Sequence, residues 1–195
     1  MPSEIELKIL GIDKKEVVSR LKKLNAKKLA KYNFRQILFP IKKNSSFESW
    51  CRLRTDGKST VFTLKEQSGK GISNTQEYEM KMLNFENAAI IFCKIFAISL
   101  YIENEREEYS FNKTLVTVDK WPGIPYVTEI EGPSEKSVNE TYKLLAIKGN
   151  SVGNVSPSKV YAYYGLNYEK IGKKNFRKFL NAISSRRHNE VRLGL

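Results

Sequence analysis

Charged and apolar residues alternate in six short segments of the chain. The segments are residues 4–8, 52–54, 63–65, 77–81, 117–119 and 129–131. Because side chains in a β-strand point alternately to opposite faces, this period of two predicts six strands, each with one charged face. In the first segment, Glu4, Glu6 and Lys8 share a face opposite Ile5 and Leu7. Six charged strand faces indicate that the faces share one location. In a β-barrel, all six would line the lumen.

Helix and turn signals between these segments predict an α+β protein with an antiparallel sheet. Asp13 and Glu16 form a candidate capping box, and Asp56-Gly57 is a hairpin signal. The other predicted elements are strands 32–39, 77–82, 101–111, 115–120 and 126–131, helices 86–98, 135–146 and 156–165, and a final basic helix from residue 170. Pro40 should end the strand before it, and helix 86–98, apolar almost all round, should be well buried.

The apolar faces of the strands should point outward, under helices. The predicted outward set is Ile5, Leu7, Leu53, Leu64, Met80, Val118 and Ile130. A register slip of one residue would invert every face, so this set tests the barrel hypothesis directly. Lysine pairs away from the strand faces, including Lys27-Lys28, are expected to be solvated surface.

Composition narrows the classes of function. The chain has 195 residues, which favours one domain, and a formal net charge of +13, which fits a polyanionic ligand. No apolar run reaches the roughly 18 residues needed to cross a bilayer, so no membrane partner is expected. Two cysteines, Cys51 and Cys93, favour a reducing cytoplasm, and one histidine, His188, argues against a histidine-based zinc site or triad.

The order of these motifs resembles the CYTH superfamily, the triphosphate tunnel metalloenzymes, which includes class IV adenylyl cyclases and thiamine triphosphatases. The opening Glu4-x-Glu6-x-Lys8 resembles the family's ExExK signature, and Arg52-x-Arg54 its paired arginines. Further similar segments are Phe62-Thr63-Leu64-Lys65, Glu77-x-Glu79, Arg106, Asp119, Trp121-Pro122-Gly123-Ile124-Pro125 and Glu129-Ile130-Glu131-Gly132. The resemblance implies an antiparallel eight-stranded β-barrel with flanking helices, forming a tunnel open at both ends. Residues 1–180 would form this domain, and 181–195 a basic C-terminal tail.

The resemblance, together with the chemistry of the residue types, implies a divided site. Arginine and lysine suit phosphate, and the expected triphosphate-binding residues are Lys8, Arg52, Arg54, Lys65, Arg106 and Lys174. Hard Mg²⁺ or Mn²⁺ prefers carboxylates, and the expected metal ligands are Glu4, Glu6, Glu79, Asp119, Glu129 and Glu131. Glu4, Glu6 and Lys8 are the expected catalytic residues. Two positions depart from the family pattern, with Asn104 at a usual lysine and Phe176 at a usual tyrosine.

The sequence therefore predicts a metal-dependent enzyme that hydrolyses the phosphoanhydride of a nucleoside, thiamine or inorganic triphosphate. Two alternatives stay open. One is cyclisation of ATP to cyclic AMP, because both reactions need the same phosphate and metal contacts. The other is a non-catalytic binder of polyphosphate or RNA, which the net charge favours and the alternating carboxylates oppose. A monomer or a homodimer fits either case.

Overall fold

A computed structural model describes residues 5–43, 47–68 and 75–193, with side chains to residue 183. The strands are β1 (Glu6–Ile12), β2 (Lys27–Lys43), β3 (Phe47–Thr55), β4 (Thr60–Ser68), β5 (Thr75–Met82), β6 (Leu100–Phe111), β7 (Thr114–Lys120), β8 (Tyr126–Glu131) and β9 (Asn150–Gly153). The helices are α1 (Lys14–Lys23), α2 (Phe85–Ile95), α3 (Glu135–Leu145), α4 (Pro157–Tyr163) and α5 (Tyr168–Leu193). None of the helices in this part of the chain is both long and apolar enough to cross a bilayer.

The strands form one antiparallel sheet, which confirms the predicted α+β class and barrel-type sheet. Its order is β5-β4-β3-β2-β6-β7-β8-β1-β9. Nine strands are described, rather than the eight expected, because the four-residue β9 has no recognisable pattern. The two ends of the sheet meet at Asn154. Its carbonyl accepts a hydrogen bond from Gln67 Nε2 at 2.9 Å, and its Nδ2 donates to Thr75 Oγ1 at 3.1 Å. The sheet therefore curves into a half-barrel, and the hydrogen bonds of Asn154 connect its two ends.

The outer face carries most of the predicted apolar residues. Leu7, Val118 and Ile130 are buried in a cluster with residues of α1 and α3, and Leu53 is buried in another with residues of α2. Ile5 and Leu64 are partly buried against these clusters. Met80 was wrongly placed under a helix and is 55% exposed, because α2 lies over β3 and leaves the edge strand β5 uncovered.

Two further expectations were wrong. Helix α2 is not buried all round: Ala88 and Ala89 face the sheet, but Ile91 and Ile95 are 56% and 68% exposed, because only one side of the helix meets the sheet. Pro40 does not end its strand, since β2 continues to Lys43. Pairing of β2 with β6 stops at Leu38, so the missing amide hydrogen of Pro40 costs no hydrogen bond on that side.

One end of the concave face is filled by apolar side chains. Leu38, Trp50 and Ile102 of the sheet pack with Tyr161 of α4 and Tyr168 of α5. Helix α5 lies directly on β6, since a Cβ added at Gly172 would stand 2.6 Å from Leu100 Cβ. The helix runs across the predicted boundary at residue 180, and the division into domain and tail stays a prediction.

Glu107 anchors α1 to the outer face of the sheet. Its carboxylate accepts hydrogen bonds from Lys14 at 2.6 Å, Lys28 at 2.7 Å and the Tyr109 hydroxyl at 2.8 Å. Lys28 is thus an exposed surface charge, as expected, that also pairs with Glu107. Hydrogen bonds from Lys14 and Lys28 lower the pKa of Glu107 to about 2 from 4.5.

We expect Glu107→Gln to lower the free energy of unfolding by about 2 kcal/mol at pH 7, because hydrogen bonds to a charged group are lost. A depressed folded-state pKa contributes stability above the unfolded pKa, and that stability disappears as pH falls from 4.5 to about 2. Thermal unfolding of both proteins from pH 7 to pH 2 tests this. The difference in stability should shrink across that window, and a difference independent of pH would contradict the assignment.

Candidate functional site

The concave face holds a cavity of about 240 Å³ beside the apolar end. Most of the predicted site residues line it: Glu6, Lys8, Arg52, Arg54, Lys65, Glu79, Arg106, Glu129 and Glu131. Asp119 lies fully buried behind Arg106. Lys174 lies on an exposed part of α5 and does not line the cavity. Glu4 lies outside the described residues.

Strand register places carboxylates next to one another at one end of the cavity. Glu6 of β1 is directly opposite Glu131 of β8, and Lys8 is directly opposite Glu129. Like charges at directly opposed positions destabilise a sheet, so such a pair needs cations nearby. Lys8 supplies one, since its Nζ pairs with Glu6 and lies 3.5 Å from Glu129 Oε1.

Arg106 joins this acidic end to the arginines. Its guanidinium binds Asp119 through two hydrogen bonds of 2.8 and 2.9 Å and also donates to Glu129. Burial lowers the pKa of Arg106, but Asp119 and Glu129 outweigh it and hold that pKa well above its ordinary value. Burial would raise the pKa of Glu129, but Lys8 and Arg106 keep it far below its ordinary value. Burial raises the pKa of Asp119 against the opposing effect of Arg106. The network fixes the Arg106 guanidinium at the cavity wall.

Arg54 stands out because it makes no ion pair with a carboxylate within the described part of the chain. Its guanidinium lies 4.6 Å from the centre of the Phe34 ring. Burial, together with the neighbouring charges of Arg52 and Arg106, lowers the pKa of Arg54 to about 9. The Nε of Arg52 is also buried without a hydrogen-bond partner in this part of the structure. Arg52, Arg54 and Arg106 line the same cavity, and guanidinium groups gathered in this way form a site for an anion.

The opposite wall is formed by β3, β4 and β5. Glu77 lies 3.4 Å from both Arg52 and Lys65, and Glu79 accepts a hydrogen bond of 3.1 Å from Thr63 Oγ1. Sequence reasoning preferred Glu79 to Glu77, although the two share a strand face, and the structure brings both to the cavity. Glu108 also lines it and was missed, although it lies two residues from Arg106 on the same strand face. Asn154 was missed because it follows an unpredicted strand.

The donor set fits a hard divalent cation. The cavity is lined by six carboxylates (Glu6, Glu77, Glu79, Glu108, Glu129, Glu131) and five cations (Lys8, Arg52, Arg54, Lys65, Arg106). Because the carboxylates slightly outnumber the cations, a divalent cation bound together with a polyanion would offset their repulsion. No group of three potential ligands stands ready-made to hold an ion among residues 5–43, 47–68 and 75–183. Mg²⁺ usually takes one or two carboxylates and completes its shell with water and substrate phosphates.

The chain belongs to the CYTH domain family, whose sequence model matches residues 2–160. The sequence matches no curated protein. Solved structures share its fold, among them the following three. A conserved hypothetical protein from Pyrococcus furiosus is 21% identical with a TM-score of 0.62, over 75% of this chain and 92% of that one. A candidate adenylate cyclase from Vibrio parahaemolyticus is 10% identical with a TM-score of 0.60, over 83% and 98%.

The third structure is a candidate adenylyl cyclase from Hippeastrum, described as having a dominant triphosphatase activity. It is 12% identical with a TM-score of 0.54, over 85% of this chain and 97% of that one. At these identities the likeness concerns the fold alone. The CYTH family is in general metal-dependent, and relatives are named for cyclase and triphosphatase activities.

Proposed function

We propose that this protein hydrolyses a triphosphate in a reaction that depends on Mg²⁺ or Mn²⁺. One observation carries the proposal: a single cavity combines five cations, three of them converging arginines, with six carboxylates. A site for phosphate alone gains nothing from carboxylates, and a site for metal alone gains nothing from arginines. A metal–triphosphate complex needs both.

The cationic residues would bind and orient the phosphate chain. Among the described residues, Arg54 makes no ion pair with a carboxylate and Arg52 has a buried Nε without a partner. Arg106 is held rigidly by its carboxylate partners. Rigid donors aimed at the phosphates stabilise developing charge without reorganising during the reaction. Lys65 would add a point charge at the β4 wall.

One or two of the carboxylates Glu6, Glu129 and Glu131 would hold the metal at the other end of the cavity, with Glu79 on the opposite wall. When bound, the ion would neutralise phosphate charge and lower the pKa of a water molecule. Lys8, between Glu6 and Glu129, would keep Glu129 ionised and hold both carboxylates in position. Asp119, which is fully buried, would act through Arg106.

Two other functions are supported by specific observations. The Vibrio parahaemolyticus and Hippeastrum structures carry cyclase names, and the same phosphate and metal contacts would serve cyclisation of ATP. The net charge of +13 favours a binder of polyphosphate or RNA.

We also propose a cytoplasmic location. It is supported by two free cysteines, Cys51, which is buried, and Cys93, which is partly buried.

The test is an activity assay in which the purified protein is incubated with ATP, thiamine triphosphate or tripolyphosphate in the presence of Mg²⁺ or Mn²⁺. Release of phosphate and formation of cyclic AMP are both measured. We expect phosphate release that stops when a chelator removes the metal. Formation of cyclic AMP without release of phosphate would show that the protein cyclises ATP and does not hydrolyse it. Binding without turnover, unaffected by chelator and weakened by salt, would identify a binder instead.

A further inference from the structure

Strand β5 is a long open edge of the sheet. It stands at one end of the strand order, and within the described parts of the chain it pairs only with β4. The strand at the other end, β9, has only four residues. In contrast, β5 has eight residues, contains no proline and pairs with β4 without a bulge. Its outer row of backbone N–H and C=O groups is therefore regular enough to pair with a further strand.

The convex face of β5 is apolar and uncovered. Tyr78 and Met80 are 37% and 55% exposed. Met80 lies directly opposite Phe62 of β4, and Phe92 of α2 stacks on the Phe62 ring with ring centres 4.2 Å apart. The apolar layer beneath α2 thus reaches the edge of the sheet and continues there without a cover. A further strand with an apolar face of its own would extend this layer.

The charges of β5 select the kind of partner. Charged side chains on an edge strand usually prevent edge-to-edge pairing. Glu79 and Lys81, however, have opposite signs and lie two residues apart on the same strand face. In an antiparallel pair of identical strands centred on Met80, Glu79 of each copy is directly opposite Lys81 of the other. Opposite charges in such positions stabilise a sheet, so β5 is complementary to itself.

Other symmetric registers oppose like charges. A pair centred on residue 77, 79 or 81 places one charged side chain opposite its own copy, and a pair centred on Tyr78 places Glu77 opposite Glu79. The register centred on Met80 avoids both arrangements. It also places Tyr78 of one copy opposite Met82 of the other, so the two apolar faces become continuous.

We propose that two copies of this chain associate through β5, with the two strands antiparallel and Met80 on the two-fold axis. The same surface meets itself, as in the C2 dimers that predominate among homo-oligomers. The pairing would continue the sheet from one copy into the other. It would also bring Lys81 of the other copy to Glu79, which lines the charged cavity. This association goes beyond the proposed function, because it requires neither substrate nor metal.

The first test measures molecular mass by sedimentation over a series of protein concentrations. Salt at about 0.3 M screens the long-range repulsion between two chains of net charge +13. We expect wild type to reach the mass of two chains. Met80→Lys places like charges opposite each other on the axis and should raise the Kd of the dimer at least about tenfold. The matched control is Leu144→Lys on α3, where the side chain is 51% exposed, and it should leave the Kd unchanged.

Charge exchange tests the pairing of Glu79 with Lys81. Lys81→Glu opposes acidic groups on the two copies and should weaken the dimer. Adding Glu79→Lys to that variant restores opposite charges in exchanged order, and the dimer should return. A double variant no tighter than Lys81→Glu alone would contradict the register.

Disulfide formation tests the register independently. Under mild oxidation Met80→Cys should link two copies, because Cβ atoms of directly opposed residues lie about 4.5–5.5 Å apart, close enough for a disulfide after a small adjustment. Gln76→Cys lies on the same face of β5, but in this register it stands about 27 Å from its own copy and should form no link. Wild type, with Cys51 and Cys93 alone, gives the background.

A wild-type protein that stays a monomer at every concentration would overturn the proposal. So would a dimer that Met80→Lys leaves intact, or equal linking through Met80→Cys and Gln76→Cys. None of these outcomes alters triphosphate hydrolysis, which is measured as release of phosphate, so failure of the dimer and failure of the proposed function are distinguishable.

Discussion

Replacing Glu6 with glutamine should reduce metal-dependent turnover by about two to three orders of magnitude, the range seen when a preorganised electrostatic group is lost from an active site. Glu6 is 5% exposed and directly opposite Glu131, so the change keeps the shape of the cavity but removes charge where the metal should bind. Lys8 still has Glu129 as a partner, and the fold should survive. Steady-state kinetics with Mg²⁺ and Mn²⁺, alongside thermal unfolding, measure both effects.

The matched control is Glu140→Gln on α3, which also removes one carboxylate. Glu140 is an exposed side chain that pairs only loosely with Lys136 at 4.0 Å, and its loss should leave turnover unchanged. Equal turnover in the Glu6→Gln variant and the control would show that Glu6 is not a metal ligand.

Arg54→Met should lower kcat/KM by about two orders of magnitude or more, because one oxyanion-stabilising donor is lost. The same change should leave the ligand-free protein as stable as wild type or more so. Arg54 lies among like charges with its pKa lowered to about 9 by burial, Arg52 and Arg106, so its removal relieves repulsion. Methionine keeps an apolar stem against Phe34. Loss of activity with unchanged or raised Tm identifies a residue kept for binding rather than folding.

Salt concentration distinguishes the contact between Arg54 and the phosphates from nonspecific attraction by surface charges. At about 0.3 M salt the Debye length is well under 10 Å, so surface charges are screened while confined contacts persist. The effect of Arg54→Met should survive this salt. Lys22→Ala, which removes an exposed cation of α1, should be nearly silent there. Equal effects from both variants, vanishing together with salt, would favour a surface polyanion binder.

The alternation of charged and apolar residues put Glu6, Lys8, Arg52 and Arg54 on strand faces that the structure brings to one cavity. Arg106 was expected there from the family resemblance alone. The alternation succeeds because a strand has a period of two, and burial of the apolar face fixes the register. The helix cap at Asp13 was equally local and is present.

The missed features depend on which elements meet in space. Asn154 joins the ends of the sheet, but no local pattern marks it. Met80 alternates like its neighbours yet is exposed, because the position of α2 decides which strands are covered. The pairing of the exposed Lys28 with Glu107 was missed because the two residues lie 79 positions apart in sequence. The apolar residues that fill one end of the concave face come from β-strands, α4 and α5 together.

The most direct test of the account is a titration with Mn²⁺ followed by electron paramagnetic resonance, with and without tripolyphosphate, for wild type and Glu6→Gln. Because coupling between two ligands is reciprocal, a phosphate chain that needs the metal must also tighten binding of the metal. We predict Mn²⁺ binding to wild type that tripolyphosphate strengthens and that Glu6→Gln weakens at least about tenfold. Mn²⁺ binding that neither tripolyphosphate nor Glu6→Gln alters would contradict a shared metal–triphosphate cavity.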